Sequence, residues 1–223
     1  AFLLGEREVE RAATTWRELL AASPRLGAYV SSDNLIVNSG FEQPVLNGGF
    51  DWQRRAQANV QLALDSSIFH AGTQSLRVEF DGGVPPEAGI YQYVPVEPNT
   101  RYVFAGNMKS DEVLSASGPR LAVVDAYTRT SYVTSDDLLG TNGWREWTGE
   151  FQTGPDASLV MVMVARVPAN KEIKGTLWID DLRLRKRQML ADRPEVYPIG
   201  AVANRPQVFR NTFFASRGDG TYA

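Results

Sequence analysis

Tyr91-Gln92-Tyr93-Val94-Pro95-Val96-Glu97-Pro98-Asn99-Thr100-Arg101-Tyr102 decides how the rest of the chain is read. Aromatic and β-branched residues occupy both ends, and Glu97-Pro98-Asn99-Thr100 supplies turn chemistry between them, so the stretch predicts two short strands with a turn between. Side chains alternate along a strand, which puts Tyr91 and Tyr93 on one side and Gln92 and Val94 on the other. Working outward, the same pattern recurs at Val60–Leu64, Ser75–Phe80, Ile90–Val96, Arg101–Met108, Arg120–Ala126, Trp144–Phe151, Leu159–Val167 and Gly175–Leu184. Asp81-Gly82-Gly83, Ser117-Gly118-Pro119 and Thr141-Asn142-Gly143 punctuate them. Repeated short strands joined by turns predict an all-β protein, an antiparallel sandwich.

The N-terminal segment follows another period. Residues 6–22 place Val9, Ala12, Ala13, Trp16, Leu19 and Leu20 at three- and four-residue intervals, which predicts an amphipathic helix with Trp16, Leu19 and Leu20 on its buried face. Ser23-Pro24 ends it. The stretch Ala13–Pro24, with its Trp-Arg-Glu-Leu-Leu centre, looks like the closing helix of a tetratricopeptide-type repeat; a helix that simply packs on the sandwich is the other reading. Residues 189–223 hold Pro194, Pro198 and Pro206 with Phe209, Phe213 and Phe214, the pattern of an extended tail. The expected division is therefore a helical segment over 1–30, a sandwich over 34–187 and a tail over 188–223.

Composition narrows the function classes. The chain has 223 residues, 43% of them hydrophobic and 22% charged, enough to bury a full core. A formal net charge of -3 offers no basic field for a polyanion, and the short run Arg183, Arg185, Lys186, Arg187 reads as a solvated strand end, so nucleic acid is not an expected partner. Cysteine is absent, which removes disulfides and thiolate metal sites. No apolar run is long enough to span a bilayer, and the start lacks the charged-then-apolar order of a signal peptide, so an exported protein would contain this chain as a fragment or processed form. Enzyme signatures are missing too: one His, no nucleophile elbow, no HExxH, no phosphate loop and no glycine-rich dinucleotide turn. Asp136-Asp137 and Asp180-Asp181 are acids of the kind a glycosidase pair needs, but no accompanying motif supports that role. No catalytic residues are expected.

Three further phrases carry more information: Asn38-Ser39-Gly40-Phe41-Glu42, His70-Ala71-Gly72-Thr73-Gln74-Ser75-Leu76 and Trp178-Ile179-Asp180-Asp181-Leu182-Arg183-Leu184. In the last, apolar Ile179, Leu182 and Leu184 surround two adjacent acids, which sets a carboxylate at or near a buried edge where it needs a cation or donors. Hard oxygen ligands suit calcium; hydrogen-bonded strand-end acids without metal are the alternative. Trp147 and Trp178 read as core.

Together with the Tyr91–Tyr102 hairpin and Gly143-Trp144-Arg145-Glu146-Trp147-Thr148, these phrases make residues 34–187 resemble the bacterial carbohydrate-binding modules of the galactose-binding-like jelly-roll type, especially families four, nine and twenty-two. The resemblance implies a jelly roll, a non-catalytic role, a polysaccharide or oligosaccharide partner and a secreted or cell-envelope location. It implies a structural calcium held by Glu42, Asp180 or Asp181, and backbone oxygens near Gly40 and from Gly72 to Gln74. It implies, too, a glycan cleft across the concave face of the sandwich, with Trp52, Tyr91, Tyr93, Asn107, Asp125, Tyr127 and Arg166 at corresponding positions. The alternative function is a structural or protein-interaction domain of a larger helical-repeat envelope protein, engaging a protein partner through the N-terminal helix and C-terminal tail.

Overall fold

The computed structural model describes residues 2–29 and 33–187. The expectation of an extended tail falls on 188–223 and lies outside the described residues. Two helices come first, α1 (Phe2–Gly5) and α2 (Val9–Ala22), followed by a 3-10 helix over Pro24–Tyr29. Ten strands follow: β1 (Gln53–Arg54), β2 (Val60–Asp65), β3 (Ser75–Asp81), β4 (Glu87–Pro95), β5 (Arg101–Ser115), β6 (Pro119–Asp125), β7 (Ser131–Thr134), β8 (Gly140–Gln152), β9 (Leu159–Arg166) and β10 (Ile173–Lys186). They pair antiparallel in two five-stranded sheets, ordered β1-β4-β9-β6-β7 and β2-β3-β10-β5-β8. Apart from the hairpins β2–β3 and β6–β7, consecutive strands cross between the sheets, which is the jelly-roll sandwich expected from the sequence. β1 and β7, of two and four residues, were not expected: neither is long enough to display a period.

The core lies between the sheets and is built from one side of each strand. Ile90, Gln92 and Val94 of β4 face Val160, Val162 and Val164 of β9, with Leu76, Val78 and Phe80 of β3 and Leu177 and Ile179 of β10 closing the layer; all are buried. Gln92 is the polar exception. Its side-chain amide accepts from Val37 N (2.9 Å) and donates to Val37 O (2.9 Å), so both of its polar ends are satisfied by one backbone residue. In β10 the register against β5 shifts between Asp180 and Arg183, with Asp181 at φ 50°. Such a bulge adds one residue, so Leu182 and Leu184 return to the core after Ile179 although an unbroken strand would turn Leu182 outward.

The helical segment departs from the expected 6–22. It breaks at Arg7, whose φ is 61°, and α2 begins at Val9. Ser23 closes α2 with its N–H on Leu20 O. Val9, Ala12 and Trp16 pack with Phe50 and Leu159, and Leu20 is buried, but Leu19 is 51% exposed and does not share the buried face. From Trp16 a step of four residues stays close to the same stripe, whereas a step of three swings about 60° to the other side; there Leu19 borders a shallow apolar groove with Phe2 and Phe50.

Gly49 makes the close approach of α2 possible. Its φ is 61°, and a Cβ there would lie 2.1 Å from Trp16 Cζ3. Gly49→Ala is therefore expected to cost about 2–4 kcal/mol from backbone strain and overpacking together. Equilibrium urea unfolding measures it; an unchanged midpoint would mean that α2 does not depend on this contact.

Candidate functional site

The outer side of β4 carries what the inner side cannot. Tyr91 and Tyr93 alternate with buried Gln92 and Val94, and their rings meet edge to face at 5.5 Å and 74°. Leu159 lies beside them on β9, and β1 places Gln53 opposite Tyr91 in register, where Tyr91 Oη donates to Gln53 Oε1 at 3.3 Å. The Arg55 guanidinium stands 5.2 Å from the Tyr91 ring centre. Tyr91, Tyr93, Gln53 and Leu159, with Leu4, Asn47, Gly49 and Tyr127, line a cavity of about 510 Å³. That volume falls within the range of small-ligand sites, and its walls combine aromatic faces with amide groups. Further across the sheet, Met161 and Met163 continue the apolar floor, and Arg129 Nη1 donates to Met161 Sδ at 3.5 Å.

Of the seven residues expected in the cleft, three line this cavity: Tyr91, Tyr93 and Tyr127. Asp125 stands beneath it. Its Oδ1 accepts the N–H of Tyr127 (2.9 Å) and Thr128 (2.7 Å) and its Oδ2 accepts Tyr132 Oη (3.1 Å), so this carboxylate shapes the turn that presents Tyr127. Trp52 is a correction: it is 2% exposed, stacks on Phe41 at 5.0 Å and donates Nε1–H to Asn38 O, all within the core. Asn107 is another, because β5 belongs to the opposite sheet, where Asn107 pairs with Asp180 and is 2% exposed. Arg166 is the third. It sits at the end of β9, 2% exposed, and its guanidinium donates to the carbonyls of Pro85, Ser117 and Lys171 and to Ser115 Oγ, so it ties three loops together inside the protein.

Sequence reasoning missed Asn47, Gln53, Arg55 and Leu4. Gln53 lies in, and Arg55 beside, a two-residue strand that pattern cannot detect, Asn47 lies in the loop before it, and Leu4 arrives from the N-terminal helical segment. Of the tryptophans read as core, Trp147 packs half-buried against the core, while Trp178 is buried apart from it, donating Nε1–H to Asp65 Oδ2 at 2.9 Å with Lys109 5.8 Å from its ring.

The second expected constellation gathers at the β10 bulge. Asp180, 0% exposed, accepts from His70 N (2.8 Å) and Ala71 N (3.1 Å) on Oδ2 and from Asp181 N (2.8 Å) on Oδ1. Glu42 accepts from Thr73 N and Gln74 N on Oε1 and from the Thr73 hydroxyl on Oε2. His70 Nδ1 lies 2.7 Å from Asp181 Oδ2. Burial, helped by the Asp181 charge, holds the Asp180 carboxyl above its ordinary range despite those donors. At Glu42 burial pushes the same way, but the Thr73 and Gln74 donors outweigh it and the carboxyl ends lower. Gly40 and Gly72 leave room beside these acids: a Cβ on Gly40 would lie 3.4 Å from Asp180 Oδ1, and one on Gly72 would lie 2.0 Å from Glu42 Oε1. Among the described residues no Lys or Arg pairs with Glu42 or Asp180, and no three acidic or imidazole side chains converge as a ready ligand set.

Asp125 offers a clean test of its role. Burial raises its pKa, but the donors from Thr128, Tyr127 and Tyr132 more than reverse this, so the carboxyl ends below its ordinary value. A depressed folded-state pKa contributes stability that is full above the unfolded value, near 3.9, and lost as pH falls through the folded one. Asp125→Asn keeps the capping oxygen but cannot titrate. It is expected to melt below wild type at pH 7, with the gap narrowing between pH 5 and pH 2.5 as the wild-type carboxylate is protonated, measured by thermal denaturation; an acid slope equal to wild type would remove Asp125 from the account.

With fold and sites described, comparison with known proteins is informative. No curated protein matches the sequence. Among solved structures, a family 4 carbohydrate-binding module superposes with a TM-score of 0.50 at 14% identity, covering 67% of this chain and 98% of that one. The C-terminal family 22 carbohydrate-binding module of Clostridium thermocellum Xyn10B gives 0.46 at 19% identity, over 74% of this chain and 96% of that one. A family 22 xylan-binding domain from Paenibacillus barcinonensis Xyn10C gives 0.41 at 18% identity, over 68% and 93%. The first of these likenesses supports the jelly-roll fold. Residues 33–170 match the family described as carbohydrate binding domain, more than half of the chain, and on that match the chain belongs to the carbohydrate-binding domain family.

Proposed function

We propose that this non-catalytic carbohydrate-binding domain takes hold of a polysaccharide on the outer face of the β1-β4-β9-β6-β7 sheet, at the cavity centred on Tyr91 and Tyr93. The observation that carries this reading is the pair of half-exposed tyrosine rings at the floor of a cavity of about 510 Å³, with Gln53 and Asn47 at its wall. A sugar presents flat C–H faces and a rim of hydroxyls; rings stack on the first, and planar amides exchange paired hydrogen bonds with the second. Asp125, Arg129 and Arg55 act from behind by holding the tyrosines and the methionine floor in place. A polymer ligand, together with the family, favours a secreted or cell-envelope setting; among the described residues no helix is long and apolar enough to cross a membrane.

A second reading has its own supporting observation. Leu3 and Leu4 pack over the Leu159 end of the aromatic face, and a covered face suits a structural or protein-interaction domain of a larger helical-repeat protein, in which α2 would be the last helix of a tetratricopeptide-type array. The first reading is preferred because the cavity remains open beside the tyrosines. Tyr91→Ala and Tyr93→Ala are expected to weaken polysaccharide binding by roughly 1–3 kcal/mol each while leaving the fold intact. Affinity electrophoresis in soluble xylan and β-glucan, paired with thermal melts, measures both. Unfolding of both variants without selective loss of binding would assign the rings to packing and favour the second reading.

Calcium at the β10 bulge belongs to the same proposal as a structural ion. A carboxylate offers about four lone-pair directions, and Asp180 and Glu42 each use three, leaving one on Asp180 Oδ1 beside Gly40 and one on Glu42 Oε2. A fully buried, unneutralised carboxylate and hard oxygens are the chemistry calcium takes, with Asp181 and the backbone carbonyls near Gly40 and from Gly72 to Gln74 completing the set. The ion would supply fixed positive charge that locks the three segments together. Calcium at a hundredfold excess over its dissociation constant should raise stability by about 2.7 kcal/mol relative to chelator, and Glu42→Ala should abolish the increment. Equal melting temperatures in chelator and in millimolar calcium would overturn this site.

A further inference from the structure

The N-terminal segment Phe2–Arg7 occupies groups that a ligand of the aromatic face would want. Tyr127 Oη donates to Leu4 O at 2.9 Å, and the Arg7 guanidinium lies 4.8 Å from the Tyr127 ring centre, so both the hydroxyl and one face of that ring are taken by the chain itself. Leu3 and Leu4 pack with Tyr93, Tyr127 and Leu159, and Leu159 is left 1% exposed although it lies on the outer side of the sheet at the cavity floor. The hold of the segment is slight. α1 is a single turn with no buried residue, secured mainly by Glu6 N on Phe2 O (3.1 Å) and Glu8 N on Leu3 O (2.8 Å). It joins α2 through Arg7 in the left-handed region, a conformation that costs a non-glycine residue energy and marks where the chain can swing. By contrast α2 is anchored independently, through Trp16 against Gly49 and Phe50.

We propose that residues Phe2–Arg7 form an intramolecular strap that competes with glycan for the Tyr127–Leu159 end of the cleft. The proposal rests on the reading of that cleft as a glycan site and adds its regulation. In the strapped state the site offers Tyr91 and Tyr93. When the strap lifts, Tyr127 gains a free ring face and a free hydroxyl, Leu159 is uncovered, and the site lengthens by about one stacking position. Ligand that binds the open state better shifts the population toward it, and its apparent affinity is reduced by the fraction of molecules still strapped. Half-buried leucines in a single-turn helix followed by an exposed arginine make the kind of low-stability element that opens locally without unfolding the domain.

The test uses the full chain and the double substitution Leu4→Ser/Arg7→Ala, which removes the apolar and guanidinium contacts while leaving α2 in place. Affinity for soluble xylan and soluble β-glucan is measured by affinity electrophoresis and titration calorimetry. The variant is expected to bind three- to tenfold more tightly than wild type. In the wild type, saturating polysaccharide is expected to accelerate hydrogen exchange at the Glu6 and Glu8 amides. Arg7→Ala alone, which touches only an exposed side chain, should show a smaller gain of the same sign and keeps the test readable if the double variant is destabilised. Wild-type binding with equal or weaker binding by both variants would overturn the strap and make the segment a fixed wall of the site. Increased protection of those amides on binding would do the same. Failure of wild type and variants alike to bind either polysaccharide would instead overturn the cleft reading, and the strap with it.

Discussion

At Asp180–Asp181 the central strand of one sheet carries a residue more than its neighbour, and three separate pieces of chain are tied to that irregularity. Without the bulge, Leu182 and Leu184 would point away from the core that Leu177 and Ile179 enter. With it, the Asp180 carboxylate turns to accept the amides of His70 and Ala71, which fixes the loop ahead of β3. Leu182 N donates to Ser39 O, Asn34 Nδ2 donates to Leu182 O, and Leu35 N donates to Leu184 O, so the segment that enters the sandwich is laid along the same few residues. An apolar side chain at position 180 would leave those amides without acceptors, and the donors they supply are what offsets the burial of the carboxylate.

Much of the fold could be read before any coordinates, and the reasons are local. Eight strands announced themselves because they carry β-branched or aromatic residues over five or more positions, several in clear alternation, and Ser23-Pro24 marked the end of α2 for steric reasons that need no tertiary context. β1 and β7 were illegible because two to four residues hold no period. The three-residue step from Ile179 to Leu182 was visible, but a bulge and a loop leave the same trace in sequence. Leu19 illustrates a different limit: helical spacing narrows the buried stripe to one side, and what the helix packs against decides which flank of the stripe is covered.

The site was legible in one half only. Strand alternation put Tyr91 and Tyr93 on one side and left open whether that side was cleft or core; the resemblance made them cleft candidates. Trp52 and Arg166, by contrast, are residues with apolar bulk and polar ends, equally suited to a cleft or to a buried junction, and only the surrounding carbonyls distinguish the two. Arg166 binds protein backbone where a ligand contact was expected, and Trp52 finds its acceptor on Asn38 beneath the sheet. Gln53 and Leu4 reach the cavity through pairing and packing between distant segments, information that no window of sequence contains.

Among the described residues, β8 closes one sheet with thirteen residues and no strand paired on its far side. A strand of that length offers a row of unpaired amides and carbonyls on which the strand of another molecule could align, the first step toward fibre growth. Arg145, Glu146 and Glu150 lie exposed along it, with Glu146 held 2.7 Å from Arg183 and Glu150 paired to Arg187. An incoming strand would have to strip water from these charges. These charges thereby guard the edge against pairing with the same strand of another copy.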